Sequence, residues 1–235
     1  MLSEAGYSAL DCSFMTWVKV CGMTNLEDAL LAVDAGADAV GFVFYEKSPR
    51  CVSMETARQI VQKLPKEIEK VGVFVNQAED ALCEVAERAG LTAIQMHGDH
   101  EDPHVADLVK AKRPELKVFA AISMIHESPD GWAMMWRPDV VHAFLVDSGG
   151  GSKPGGTGKT FDWDESGPIL KKIKARGNVV AAGGLTPENV SMALSILKPW
   201  GVDVVSGVET RPGKKDPEKV RAFVDAVRST DRRAD

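Results

Sequence analysis

The chain predicts an α/β fold, a single (β/α)8 barrel of the TIM type, and three observations lead there. Short, nearly continuous apolar runs such as Val40-Gly41-Phe42-Val43-Phe44 and Val71-Gly72-Val73-Phe74-Val75 read as parallel strands buried on both faces. These runs alternate with amphipathic stretches about eight times, and right-handed βα units repeated that often close on themselves. The rival open doubly wound sheet usually carries a glycine fingerprint after its first strand, and Cys21-Gly22-Met23-Thr24 is not one.

Taken in order, the expected strands are 17–21, 38–44, 70–75, 92–96, 116–121, 141–147, 178–182 and 202–205. Asn25 can cap the first helix, which has Glu27 and Asp28 in its first turn and stops before Gly36. Ser53, followed by Thr56 and Ala57, opens the second, and residues 78–89 form the third, ending before Gly90. Thr186-Pro187-Glu188-Asn189 and Asp216-Pro217-Glu218 each place Pro just inside a helix start. The segment 125–137 has the least defined period, because Pro129, Gly131 and several Met and Trp residues interrupt it. No linker divides the chain, so one barrel domain is expected over 16–230, after a frayed extension over 1–15.

Bulk properties narrow the function. The 235 residues are 44% hydrophobic, enough for one sizeable core, and the net charge of -6 argues against a nucleic-acid-coating surface. Cys12, Cys21, Cys51 and Cys83 form no CxxC pair, and no Cys/His set has zinc spacing. No long apolar stretch and no secretory pattern is present, so a cytoplasmic protein without membrane contact is expected. Gly155-Gly156-Thr157-Gly158-Lys159-Thr160 resembles the end of a P-loop, but GxxxxGK[ST] would need glycine where Lys153 stands.

A barrel of this kind keeps its chemistry at the C-terminal ends of the strands. That rule selects Cys21, Lys47 to Arg50, Asn76, His97, Asp147, Gly183-Gly184 and Ser206-Gly207. Cys21 is either a small buried hydrophobe or an ionisable thiol facing the mouth. Asp147 is either a loop-forming cap before glycines or a general acid or base. The glycines after strands seven and eight are two tight turns or a backbone cradle for phosphate. Arg50 is a surface loop residue or a bidentate clamp for a carboxylate. His97 is a polar pocket residue or a satisfied buried imidazole, with the second favoured; Lys19 reads as a strand residue with no evident partner, and Thr210 to Lys215 as solvated positive surface.

Assembled, the segments Val18-Lys19-Val20-Cys21-Gly22-Met23-Thr24, Ser48-Pro49-Arg50, Gln95-Met96-His97-Gly98, Gly156-Thr157-Gly158-Lys159-Thr160-Phe161-Asp162-Trp163, Ala182-Gly183-Gly184-Leu185 and Val202 to Glu209 resemble the phosphoribosylanthranilate isomerase family. The resemblance runs over about residues 17–228. It implies an Amadori rearrangement of N-(5-phosphoribosyl)anthranilate in tryptophan biosynthesis. Cys21 would be the general base and Asp147 the general acid. Arg50 would hold the anthranilate carboxylate, and Gly183, Gly184, Ser206 and Gly207 the phosphate. It implies no cofactor and no metal, a small phosphoribosyl substrate as partner, and a monomer or homodimer. Val205 departs from the family's pattern, in which a serine is common, so a side-chain phosphate contact is not expected there. Two other readings stand beside it: another phosphosugar barrel enzyme using a Lys or a metal, and a catalytically silent phosphate-binding barrel.

Overall fold

The structure, a computed structural model, describes residues 15–98, 102–125, 127–148 and 160–234. Apart from Met15 the expected extension lies outside these residues, as does the Gly- and Lys-rich segment 149–159.

Eight parallel strands close in chain order: β1 (Trp17–Cys21), β2 (Ala39–Val43), β3 (Glu69–Phe74), β4 (Ala93–Met96), β5 (Lys117–Ser123), β6 (Ala143–Asp147), β7 (Asn178–Ala181) and β8 (Gly201–Val204). The seam is made by β1 against β8, with Lys19 paired to Asp203 in the register. Side chains on a strand alternate between faces. Val18, Val20, Val40 and Phe42 therefore point outward and pack under the helices, fully buried. Burying each such side chain favours folding by about 1.5–3 kcal/mol. The opposite parity fills the barrel with smaller residues, among them Ala39, Ala93, Ala121, Ala143 and Ala182, around Phe119 and Leu145. At the N-terminal end Trp17 stacks on Phe119 and on Trp200, with centroids 5.3 and 5.2 Å apart.

The helices start where local chemistry places them. Asn25 accepts the Asp28 N–H at 2.9 Å to open α1 (Leu26–Asp34), and Ser53 does the same for Thr56 in α2 (Met54–Val61). Gly90 closes α3 (Glu79–Ala89) with a φ of 75°. Asp102 caps α4 (Pro103–Lys112), and α5 (Pro129–Met135) and α6 (Gly167–Lys174) follow. One expected start is displaced. Helix α7 (Val190–Leu197) begins after Asn189, not at Pro187. The Asn189 amide accepts from the Thr186 N–H and donates to the Gly184 carbonyl, holding 186–189 as a separate turn. Asp216 caps α8 (Pro217–Ala234) as expected, accepting from Glu218 and Lys219.

One element was not expected. After a 3-10 turn at Ser206–Val208, strands β9 (Glu209–Arg211) and β10 (Lys214–Lys215) form a hairpin. It is tied to the start of α1: the Lys215 N–H donates to Asp28 Oδ2 at 2.8 Å and Lys214 Nζ to Asp28 Oδ1 at 2.6 Å. Lys215 is thus 1% exposed rather than solvated surface.

Candidate active site

Cys21 ends β1 and Asp147 ends β6, and both are buried. They line one cavity at the C-terminal mouth together with Arg50, Gln95, His97 and Asp203. Val43, Val73, Val75, Val205 and Tyr45 supply its apolar wall. Val205, the departure from the family pattern, therefore faces this cavity. His97 lines it too, which favours the reading of a polar pocket residue over that of a buried structural imidazole. Asn76 follows β3 with a φ of 50°, beside Gly98.

Room for the two titratable groups comes from glycine. Gly41 pairs with Cys21 across β1 and β2, and a methyl there would sit on the sulfur. A methyl on Gly183, whose φ is 80°, would lie 2.5 Å from Asp147 Oδ1. Ser148 Oγ is 3.5 Å from the same oxygen. The two expected phosphate turns also meet. Gly183 and Gly184 both have positive φ after β7, and Gly207 packs against the Leu185 carbonyl so closely that no side chain would fit.

Below Cys21, two residues back on the same inward face, lies Lys19. It is completely buried, and Nζ donates to Asp203 Oδ1 at 3.0 Å and to Gln95 Oε1 at 2.9 Å. Its charge also acts on Cys21, two residues further along the strand. A buried ammonium needs such partners, and this corrects the reading of Lys19 as unpartnered. Gln95 spends its oxygen on Lys19, so its amide nitrogen faces His97 Nδ1 at 3.5 Å. That makes Nδ1 the acceptor and places the proton of neutral His97 on Nε2.

The electrostatics follow from this packing. Burial pushes the Cys21 thiol up and Asp203 adds to that, while the Lys19 and Lys215 ammonium groups oppose it. Burial acts to lower Lys19, but the charges of Asp203 and Cys21 more than offset it and hold Lys19 above its ordinary value. Burial also raises Asp203, and the charge of Asp147 adds to the effect.

Arg50 reaches the cavity from the segment after β2. Its Nε and Nη2 donate to Glu209 Oε1 and Oε2 at 2.9 and 2.7 Å. Glu209 also accepts from Lys215 Nζ and from the Gly213 N–H, each at 3.1 Å. Burial acts to raise the Glu209 carboxyl, but Arg50 and Lys215 hold it below the usual range. Among the described residues no group of His, Cys, Asp and Glu is arranged to hold a metal ion, and no helix is long and apolar enough to cross a membrane.

Sequence reasoning missed Asp203, Gln95, Glu209 and Lys215. A signal existed for Asp203: it stands between Val202 and Val204 in an apolar run, as Lys19 stands between Val18 and Val20. Two opposite charges inside buried strands are expected to find each other.

The fold and site define a (β/α)8 barrel with a thiol and a carboxyl at its strand tips, lining one cavity at the C-terminal mouth. A family model described as "N-(5'phosphoribosyl)anthranilate (PRA) isomerase" matches residues 18–226. The N-(5'-phosphoribosyl)anthranilate isomerase of Pelobacter propionicus is 45% identical over 216 residues, covering 92% of this chain and 97% of that protein. The crystal structure of the Thermotoga maritima phosphoribosyl anthranilate isomerase aligns with a TM-score of 0.81 at 40% identity, covering 92% of this chain and all of that one. A further structure of such an isomerase, in complex with reduced 1-(o-carboxyphenylamino)-1-deoxyribulose 5-phosphate, aligns at 0.78 and 38% identity, over 92% of this chain and 100% of that one. This chain belongs to the phosphoribosylanthranilate isomerase family.

Proposed function

We propose that Cys21 and Asp147 are the base and acid of the family's reaction in this chain. The activity is the isomerisation of N-(5'-phosphoribosyl)anthranilate to 1-(2-carboxyphenylamino)-1-deoxyribulose 5-phosphate, a step of tryptophan biosynthesis. The observation that carries the assignment is the shared cavity, with a thiol at the tip of β1 and a carboxyl at the tip of β6.

Protonated Asp147 gives its proton to the ribose ring oxygen, and the C–O bond breaks to leave an iminium at C1. The positive iminium acidifies the C2 proton, and the Cys21 thiolate removes it. The resulting enolamine then tautomerises to the ketone. The step needs Asp147 protonated and Cys21 ionised together. The iminium, once formed, lowers the cost of a thiolate beside it.

Arg50 takes the anthranilate carboxylate and the valine and Tyr45 wall takes the ring. The backbone at Gly183, Gly184, Ser206 and Gly207 takes the phosphate, where glycine permits close approach. The chain acts as one barrel domain over 16–230, with 1–15 as an extension. It works in the cytoplasm as a monomer or homodimer, on a small substrate and without nucleic acid, membrane or cofactor. A relative from Thermotoga maritima is described as dimeric, which keeps the homodimer open.

Loss of substrate fluorescence on turnover tests the assignment. Cys21→Ala and Asp147→Asn should each lower kcat by about 10³-fold while remaining folded. Wild-type rates in both variants would refute it.

A further inference from the structure

Arg50 does not present its guanidinium freely. A guanidinium offers two edges suited to a carboxylate: Nε with Nη2, and Nη1 with the second proton of Nη2. Glu209 occupies the first, at 2.9 and 2.7 Å. Among the described residues no hydrogen bond engages Nη1, and the side chain lines the cavity with Cys21 and Asp147. The stem crosses the end of β1 where Gly22, with a φ of 83°, has no side chain, and a methyl there would lie 2.8 Å from Arg50 Cδ.

Glu209 is itself fixed. It starts the hairpin whose far strand is bonded to Asp28, and Thr24 Oγ1 donates to the Gly213 carbonyl at the hairpin tip. Lys215, buried beside it, also donates to its carboxylate. Arg50, Glu209 and Lys215 together therefore carry one net positive charge, and Arg50 brings it to the cavity wall.

We propose that Glu209 is a positioning residue for substrate recognition. By holding the Nε and Nη2 edge of Arg50, it turns the Nη1 and Nη2 edge toward the carboxylate of the arylamine and removes the rotamer freedom of a long loop side chain. Glu209 touches no substrate atom and acts through Arg50. The proposal rests on the assignment of Arg50 to the anthranilate carboxylate.

The test compares two ligands by direct binding: the reduced product analogue bearing the ring carboxylate, and its counterpart with an unsubstituted phenyl ring. Glu209→Gln should weaken the carboxylated ligand about tenfold and the phenyl ligand less than twofold. In an Arg50→Ala background the same substitution should leave the ratio of the two affinities unchanged. Glu209→Asp, which keeps the charge opposite Lys215 but shortens its reach, should move the ratio in the same direction, and serves if Glu209→Gln does not fold. Equal weakening of both ligands, or an unmoved ratio in a wild type that turns over substrate, would overturn the role of Glu209 alone. A wild type that binds neither ligand would overturn the functional assignment and this proposal with it.

Discussion

The two ends of the barrel interior are built from the same strands, two residues apart, yet they obey opposite rules. At the N-terminal end Trp17, Phe119 and Trp200 stack, with His142 edge-on at 5.4 and 5.6 Å from Phe119 and Trp200. Two positions up from Trp17 stands Lys19, and two further stands Cys21. From Gly201 the same step leads to Asp203, and from Ala143 through Leu145 to Asp147. The lower end gains stability by removing aromatic surface from water. The upper end removes charges from water, which costs free energy that ion pairing only offsets. A barrel assembled for stability alone would not place Lys19 and Asp203 where they are. Their position beneath Cys21 suits the role of base proposed for that thiol.

Breaking the upper end gives the largest effects. Lys19→Met strands Asp203 as an unpaired buried carboxylate and should cost about 3–5 kcal/mol of unfolding free energy. It should also lower kcat by about 10²-fold. The Lys19 ammonium opposes the upward pull of burial on the thiol. Its loss should therefore move the acid limb of kcat/KM to higher pH, read from the pH–rate profile.

Breaking the lower end should separate the two properties. Trp17→Ala removes a ring stacked on two others and should cost about 3 kcal/mol in denaturant unfolding. Its kcat/KM should stay within about threefold of wild type at a temperature where it is folded.

The smallest effect lies at His142. Burial, aided by Lys117 and Lys110, holds its imidazole below the ordinary 6.5. The unfolded chain then takes up a proton that the folded chain resists. Stability from this group is present above that value and declines as pH falls below it. His142→Phe should flatten this decline in unfolding measurements between about pH 7 and 5, with turnover unchanged.

The comparison also explains what was legible in the sequence. The strands were, because residues buried on both faces leave continuous apolar runs; β1 at Trp17–Cys21 coincides with its expected span. The places of Cys21 and Asp147 at strand ends were, because strand tips follow from those runs. Partnerships across the closure were not. Lys19 and Asp203 lie 184 residues apart and meet only because β8 returns to β1. Glu209 and Lys215 were hidden for a different reason: a charged stretch reads as solvated until a hairpin folds it under a helix start. The unclear period of 125–137 has a physical source, since Met134 and Met135 are exposed on the short helix α5. Apolar residues on the solvent side erase the amphipathic signal.

The most direct test is the pair Lys19→Met with Asp203→Leu, measured for unfolding free energy and turnover on the same preparation. Replacing a buried ion pair by apolar residues is often neutral or stabilising. The double variant should therefore recover most of the stability that Lys19→Met loses, while kcat stays about 10²-fold below wild type. Recovery of turnover along with stability would show that the charges serve the fold rather than Cys21, and would contradict the account.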